Sequence, residues 1–382
     1  MEASFKHYDL ELINPSFDSP LIGLLFDLEH LKRKRLGGST DPLIFFQIKE
    51  IFHMLESIGS ARIEGNRTTV SEFIEKKLEG TERNDENSLE ISNIEKCMAF
   101  IDDFAGYNSP IDRMFIRELH KRTVEGLNKE GSKIPGQYRK LNVEIKASSH
   151  TPPDYTQVDT YMEELLKFIN REDESKYDLI KTALAHHRFA WIHPFDNGNG
   201  RVARLLTYAM LVKQGFKINI GRIINPTAVF CKNRDLYYNN LEKADQGDES
   251  GLQKWCLYML EGLKCENEKI DFLLDHDYLR EKILLPTIEF SLERELITEI
   301  ESKILRIAVK KQVFRASDLK EVLSGKIPVR ISELLKKLKG RGVIKPVKQN
   351  SRKYVINVYS SYLLRGIIEM LDKNGFLALV ND

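Results

Sequence analysis

No uninterrupted apolar run in the 382 residues is long enough to cross a bilayer, which takes about 20 residues in a helix. The opening MEASFKHYDLELINPSFDSP contains acidic residues and no apolar centre, so it does not read as a secretory signal. Cysteine is scarce. Cys97, Cys231, Cys256 and Cys265 form no CxxC pair, and this scatter predicts reduced, mostly buried thiols in a cytoplasmic protein. Internal repeats and low-complexity tracts are missing. So are GxxxxGK[ST], which would mark a P-loop, and HExxH, which would mark a zinc protease. His186, His187 and His193 have no acidic ligand at suitable spacing, and the first two read as partly buried helix residues.

What is present describes a globular chain with room for two or three domains, 42% hydrophobic and 30% charged. The net charge of +1 conceals an asymmetry. Residues 306–360 hold fifteen Lys or Arg and three Asp or Glu, a net of +12; the remaining 43 basic and 54 acidic residues leave −11 elsewhere. Such a split predicts separate domains with separate partners.

Helical periodicity dominates. It predicts helices over Leu43–Ile58, which Asp41-Pro42 starts well, and over Ser71–Leu78, Ile91–Phe104, Ile111–Leu127, Tyr155–Ile169, Tyr177–Ile192, Arg201–Gln214, Leu236–Ala244 and Leu252–Glu268. Leu141–Ile145 with Lys146–His150 reads instead as a short strand and turn, a small hairpin among helices. A boundary is expected between Glu268 and Arg294. Beyond it come a long helix through Glu295–Val309, a short one over Ala316–Leu323 with Ser317 as N-cap, and a third over Pro328–Lys339 ended by Gly340. Ile331, Leu334, Leu335 and Leu338 form the apolar stripe of that third helix. Val343–Val347 and Tyr354–Val358 then make a hairpin about Lys348–Arg352. This is the element order of a winged helix-turn-helix. The expected fold is mainly α, in three parts: residues 1–110, 111–270 and 285–382.

The string HPFDNGNGR, His193 to Arg201, is too polar and glycine-rich for a core. Gly198 and Gly200 permit positive φ and close approach of a ligand to the backbone. Successive N–H groups in such a turn form an anion nest, and the following helix adds its N-terminal dipole. Arg201 and Arg204, three apart, can serve the same side. The chemistry is that of a phosphate site. His193 at its mouth is placed to take a proton from a hydroxyl near neutral pH, and Asp196 or Asn197 offers oxygen to a magnesium ion bridging phosphates.

HPFDNGNGRVAR resembles the signature of the Fic family, HPFx(D/E)GNGRxxR, and the likeness covers roughly Arg113 to Leu263. The resemblance implies a helical core and transfer of AMP from ATP to a Ser, Thr or Tyr hydroxyl of a target protein, the chain itself included. It implies that His193 is the base, that Gly198, Asn199 and Gly200 cradle phosphates, and that Arg201 and Arg204 hold the β and γ phosphates. Phe195 would anchor the loop. A homodimer is also implied, and some members use other nucleotides such as UTP. One position departs: Asn197 stands where the family carries a metal-binding carboxylate, and an amide is the weaker ligand for Mg²⁺. PGQYR (Pro135–Arg139) and the segment after it resemble the family's hairpin flap, where a target strand could add. Tyr237 and Asn240 resemble positions beside adenine, although tyrosines at helical spacing equally suit core packing.

SARIEG, Ser60 to Gly65, matches the family's inhibitory motif (S/T)xxxE(G/N). The resemblance implies that Glu64 pairs with Arg204, taking the space of the γ-phosphate, while Ser60 steadies Glu64. In some members this glutamate instead aligns a water that removes AMP, so a hydrolase is an alternative. The basic tail makes DNA a candidate partner, through Arg330, Ser332, Lys336, Lys337 and Lys339 on the third helix and Lys348, Arg352 and Lys353 on the wing. The rival to the enzyme is a transcription regulator in which the core only senses nucleotide.

Overall fold

The computed structural model describes residues 5–33, 38–105, 109–145, 148–216, 226–320, 323, 328–359 and 361–377. The expected turn at Lys146–Ala147, part of the Ala316–Leu323 helix and the two chain ends fall outside them.

The helices are α1 (Pro20–Arg33), α2 (Pro42–Ile63), α3 (Val70–Glu79), α4 (Glu86–Ala105), α5 (Arg113–Thr123), α6 (Val158–Asn170), α7 (Asp178–Ile192), α8 (Asn199–Lys213), α9 (Pro226–Cys231), α10 (Arg234–Ala244) and α11 (Glu249–Leu274). Capping residues set many of the starts. Asp41 accepts from the Leu43 N–H at 2.8 Å with Pro42 in the first turn, and Asp112, Asn233 and Asp248 cap α5, α10 and α11 in the same way. The paired helices α7 and α8 lie at the centre, with α4, α5, α6 and α11 against them. Helix α2 is buried around most of its circumference because α4, α8, α9 and a C-terminal strand all cover it. One hydrophobic core therefore runs through the three expected parts. Cys97 and Cys256 are buried in it, whereas Cys265 is exposed. Among the described residues no helix is long and apolar enough to cross a membrane.

The C-terminal part runs α12 (His276–Tyr278), a π turn, α13 (Leu285–Glu293), α14 (Glu299–Lys311), β1 (Phe314–Arg315), a 3-10 turn Ala316–Leu319, α15 (Pro328–Gly340), β2 (Ile344–Pro346), β3 (Lys353–Ile356) and α16 (Leu363–Lys373). The sheet order is β1-β3-β2, antiparallel throughout. The expected helix through Glu295 is interrupted. Glu295 takes φ 57°, and α14 starts afresh at the capping box of Thr298 and Glu301. Asp318, accepting from the Arg315 N–H at 2.7 Å, shapes the next turn in place of Ser317.

The C-terminal sheet is clasped to α2. Gln47, buried, donates from Nε2 to the Ile356 carbonyl at 3.0 Å and accepts the Val358 N–H on Oε1 at 2.8 Å. Its amide thus continues the edge of β3 as another strand would.

Candidate active site

The chain leaves α7 through His193, which caps that helix in the left-handed region at φ 51°, ψ 59°. Gly198, at φ 77°, caps α8. Between them the loop is tied from within. Asn199 Oδ1 accepts from the Phe195 N–H at 2.8 Å, and its amide returns a bond to the Phe195 carbonyl at 2.9 Å. Phe195 is fully buried and stacks on His120, ring centroids 3.7 Å apart. His120 Nδ1 accepts the Gly136 N–H at 2.9 Å, so its protonated Nε2 donates to the Asn197 carbonyl at 3.1 Å. Burial lowers this imidazole to about 4, against the Asn197 hydrogen bond, and keeps it neutral. Arg139 clamps the other side. It donates from Nε to the His193 carbonyl at 2.9 Å and from its backbone N–H to the Pro194 carbonyl at 2.8 Å.

That clamp also alters the expected hairpin. Leu141–Ile145 forms no strand. Arg139 Nη1 and Nη2 bind the carbonyls of Leu141 and Pro153, and Asn142 ties to Asp154 and to the Tyr155 N–H. Side chains hold the two arms where ladder bonds were expected.

His193 Nδ1 lies 3.3 Å from the Ala190 carbonyl. A carbonyl only accepts, so Nδ1 carries the proton and Nε2 keeps its lone pair. Burial lowers this group to about 4, offset in part by the Ala190 bond and by Glu64. It is a neutral base at physiological pH.

The guanidinium expected to meet phosphate holds a carboxylate of the chain itself. Glu64, just past the end of α2, places Oε1 2.7 Å from Arg204 Nη2 on α8. Arg204 is buried and further held by Ser60, through Oγ at 2.9 Å and the carbonyl at 3.0 Å. Ser60 thus steadies the arginine rather than Glu64. A Cβ at Gly200 would lie 2.2 Å from Glu64 Oε1, so only glycine admits the carboxylate over the first turn of α8. Burial pushes the Glu64 carboxyl up, but Arg204 and Arg201 outweigh it and hold it below its ordinary value. A group in this place is an anion on a helix N-terminus.

The remaining expected residues divide. Arg201 does not face the same partner as Arg204. Its Nη1 pairs with Glu90 of α4 at 2.8 Å, both side chains almost fully buried, and its Nη2 donates to the Glu130 carbonyl at 2.8 Å. Burial raises the Glu90 carboxyl, which Arg201 and the Asn66 amide only partly offset. Asp196 is exposed and turned away, accepting from Ser132 Oγ at 2.5 Å and the Lys133 N–H at 2.9 Å. Asn197 Oδ1 accepts from the Gly198 N–H at 2.7 Å. Among the described residues no three His, Cys, Asp or Glu gather as metal ligands. The donor set therefore does not fit a protein-built magnesium cage. Tyr237 is buried and meets His186 Nε2 at 2.9 Å, while His186 Nδ1 meets Thr207 at 2.7 Å. Asn240 donates to its own helix at Leu236. Tyr237 interacts electrostatically with Arg204, and Asn240 is buried. Glu90, Glu130, His120 and the loop-clamping part of Arg139 escaped the sequence reading; only the PGQYR string pointed to one of them.

Residues 110–211 match the model of the Fic/DOC family. A protein adenylyltransferase Fic from Aedes aegypti is 25% identical over 271 residues, 65% of this chain and 51% of that protein. One of the same name from Drosophila yakuba is 28% identical over 201 residues, 51% of this chain and 37% of that protein. The chain thus spans about half or less of the curated relatives it matches. A Fic family protein from Desulfovibrio desulfuricans superposes with a TM-score of 0.54 at 18% identity, covering 92% of this chain and 98% of the other. Fic-1 (residues 134–508) from C. elegans gives 0.54 at 18%, covering 65% and 71%. These two likenesses concern the fold.

Proposed function

We propose that this chain, whose residues 110–211 carry a Fic domain, transfers AMP from ATP to a hydroxyl of a target protein and is held in check by Glu64. The observation that carries the reading is the carboxylate of Glu64 seated on Arg204 over Gly200. A cationic site is filled by the protein's own anion, whose charge is felt by the neutral imidazole of His193. The names of the curated relatives point to the same activity.

In the reaction, His193 Nε2 accepts the proton of the target Ser, Thr or Tyr hydroxyl. The oxygen attacks the α-phosphorus, the bond to the β-phosphate breaks, and pyrophosphate leaves. The left-handed turn aims the ring out of α7, and Arg139 with His120 fixes the loop that carries it. The N–H groups at Gly198–Gly200 and Arg204 receive phosphate oxygens. Arg201, locked to Glu90, positions α8 against α4. ATP arrives as its magnesium complex, a property of the substrate, and Asn197 would be the residue to offer that metal an oxygen. While Glu64 holds Arg204, the terminal phosphate has no seat, and a misplaced triphosphate loses in-line geometry. A second reading, removal of AMP by hydrolysis, is favoured by the proximity of Glu64 to His193, which the charge coupling between them reflects.

The test uses the Glu64→Gly protein with ATP labelled at either the α or the γ phosphate, and a lysate as acceptor. AMP transfer deposits α-label alone. Deposition of γ-label beyond that in the lysate alone would make the protein a phosphoryl transferase and end this reading. Incubation of labelled product with wild type then asks whether Glu64 supports release of AMP.

A further inference from the structure

The face furthest in character from the Fic domain is a notch of about 460 Å³ at the root of the wing, lined by Arg315, Ala316, Ser317, Ser351, Arg352 and Lys353. Its walls are the β1 strand with the following turn on one side and the start of β3 on the other. Within the sheet Arg315 stands directly opposite Lys353. Like charges in cross-strand register destabilise a sheet, and Arg352 adds a third cation beside them. All three side chains are exposed. Among the described residues none of the three is in ion-pair contact with a carboxylate. The nearest acid on this turn, Asp318, is committed to the Arg315 N–H and to Lys311 Nζ at 3.2 Å. Ser317 and Ser351 add hydroxyls to the rim. Three cations held together at a cost to the fold, with two hydroxyls, describe a seat for a phosphate group.

The geometry points to this notch as a binding site for a backbone phosphate of duplex nucleic acid. The surrounding charge favours a polyanion over a small one. Residues 306–360 carry a net of +12 and the rest of the chain −11, so a long anion is drawn to this part and repelled elsewhere. Arg330, Lys336 and Lys339 of α15 are exposed in the same part and extend the field beyond the notch. Phosphate contacts of this kind fix position without reading sequence. The inference is independent of AMP transfer, since it uses neither His193 nor Glu64.

The experiment is fluorescence anisotropy of a labelled 20-base-pair duplex of arbitrary sequence with the full chain, from 50 to 200 mM KCl. Wild type binds with affinity that falls steeply with salt. The triple variant Arg315→Ala, Arg352→Ala, Lys353→Ala binds with a log–log slope shallower by roughly 0.9, the loss of one phosphate contact. A control lacking three exposed cations elsewhere, Lys96→Ala, Lys243→Ala, Lys254→Ala, keeps the wild-type slope. Melting provides a check on folding with its own sign: Arg315→Ala alone raises Tm of the free protein, because the cross-strand repulsion is gone. Absence of duplex binding at 50 mM KCl overturns the proposal, as does an unchanged slope in the triple variant or an equal loss in the control. Saturable binding of inorganic phosphate without duplex binding also overturns it and leaves a small-anion site.

Discussion

Glu64 Oε1 and Arg204 Nη2 are 2.7 Å apart although 140 residues separate them in sequence. The pair joins the end of α2 to the first turns of α8, and thereby the N-terminal helices to the region that matches the Fic/DOC family model. A carboxylate sits on a guanidinium at a helix start, where a Cβ at Gly200 would collide with it.

His193, held at about 4 by burial, is neutral and able to accept a proton at every pH above that value. AMP transfer by the Glu64→Gly protein, which also loses the raising influence of Glu64, therefore has its acid limb no higher than about pH 4, well below the ordinary imidazole value. A profile of kcat/KM against pH between 4 and 8 checks this, and a limb near pH 6.5 would contradict it. His193→Ala removes transfer throughout.

Stability follows pH with the same sign. His53, His120 and His193 are lowered to about 3, 4 and 4 in the folded protein, so below the ordinary value near 6.5 the unfolded chain binds more protons. Their full contribution is present above about pH 6.5 and is lost as pH falls toward 4. Thermal melting should show Tm nearly level from pH 8 to 7 and declining below 6.5; a Tm that rises on acidification through that window would refute the assignment of neutral rings.

Arg201 was expected to face phosphate and instead meets Glu90 in the core. Removing one member of a buried pair strands the other, at about 3–5 kcal/mol. Glu90→Ala should lose stability of that order in urea unfolding, and Arg201→Ala likewise. If Glu90→Ala unfolded like wild type, the pair would not be what anchors α8 to α4.

Gln47 tests the attachment of the C-terminal sheet to α2. Gln47→Ala leaves the Ile356 carbonyl and the Val358 N–H without their partners, at about 1–3 kcal/mol for each buried group left unsatisfied. Hydrogen exchange should quicken at Val358 before it changes in α7. Unaltered exchange there would mean the clasp contributes nothing to the junction.

The nine residues from His193 to Arg201 were legible because their meaning is local. Helix, turn, glycine and helix follow one another in the chain, and the structure keeps that order. The pairing of Glu64 with Arg204 was legible only through a motif, since nothing in the spacing of two distant residues brings them together. What escaped was long-range polar pairing. His120 to Asn197 spans 77 residues and Arg139 to His193 spans 54, and each looks like an ordinary surface residue in sequence. Helix α14 shows the opposite failure: Thr298-x-x-Glu301 is a local start signal, but the apolar periodicity around it suggested an uninterrupted helix. Leu141–Ile145 alternates as a strand does, yet Arg139 and Asn142 satisfy its neighbourhood without a ladder.

The most direct measurement is the initial rate of α-label transfer from ATP to protein by wild type, Glu64→Gly, and Glu64→Gly with His193→Ala. The account predicts a rise of about tenfold or more for Glu64→Gly, the order that misplaced reacting groups cost, and no transfer in the double variant. Equal rates in wild type and Glu64→Gly, with an active site otherwise competent, would contradict it.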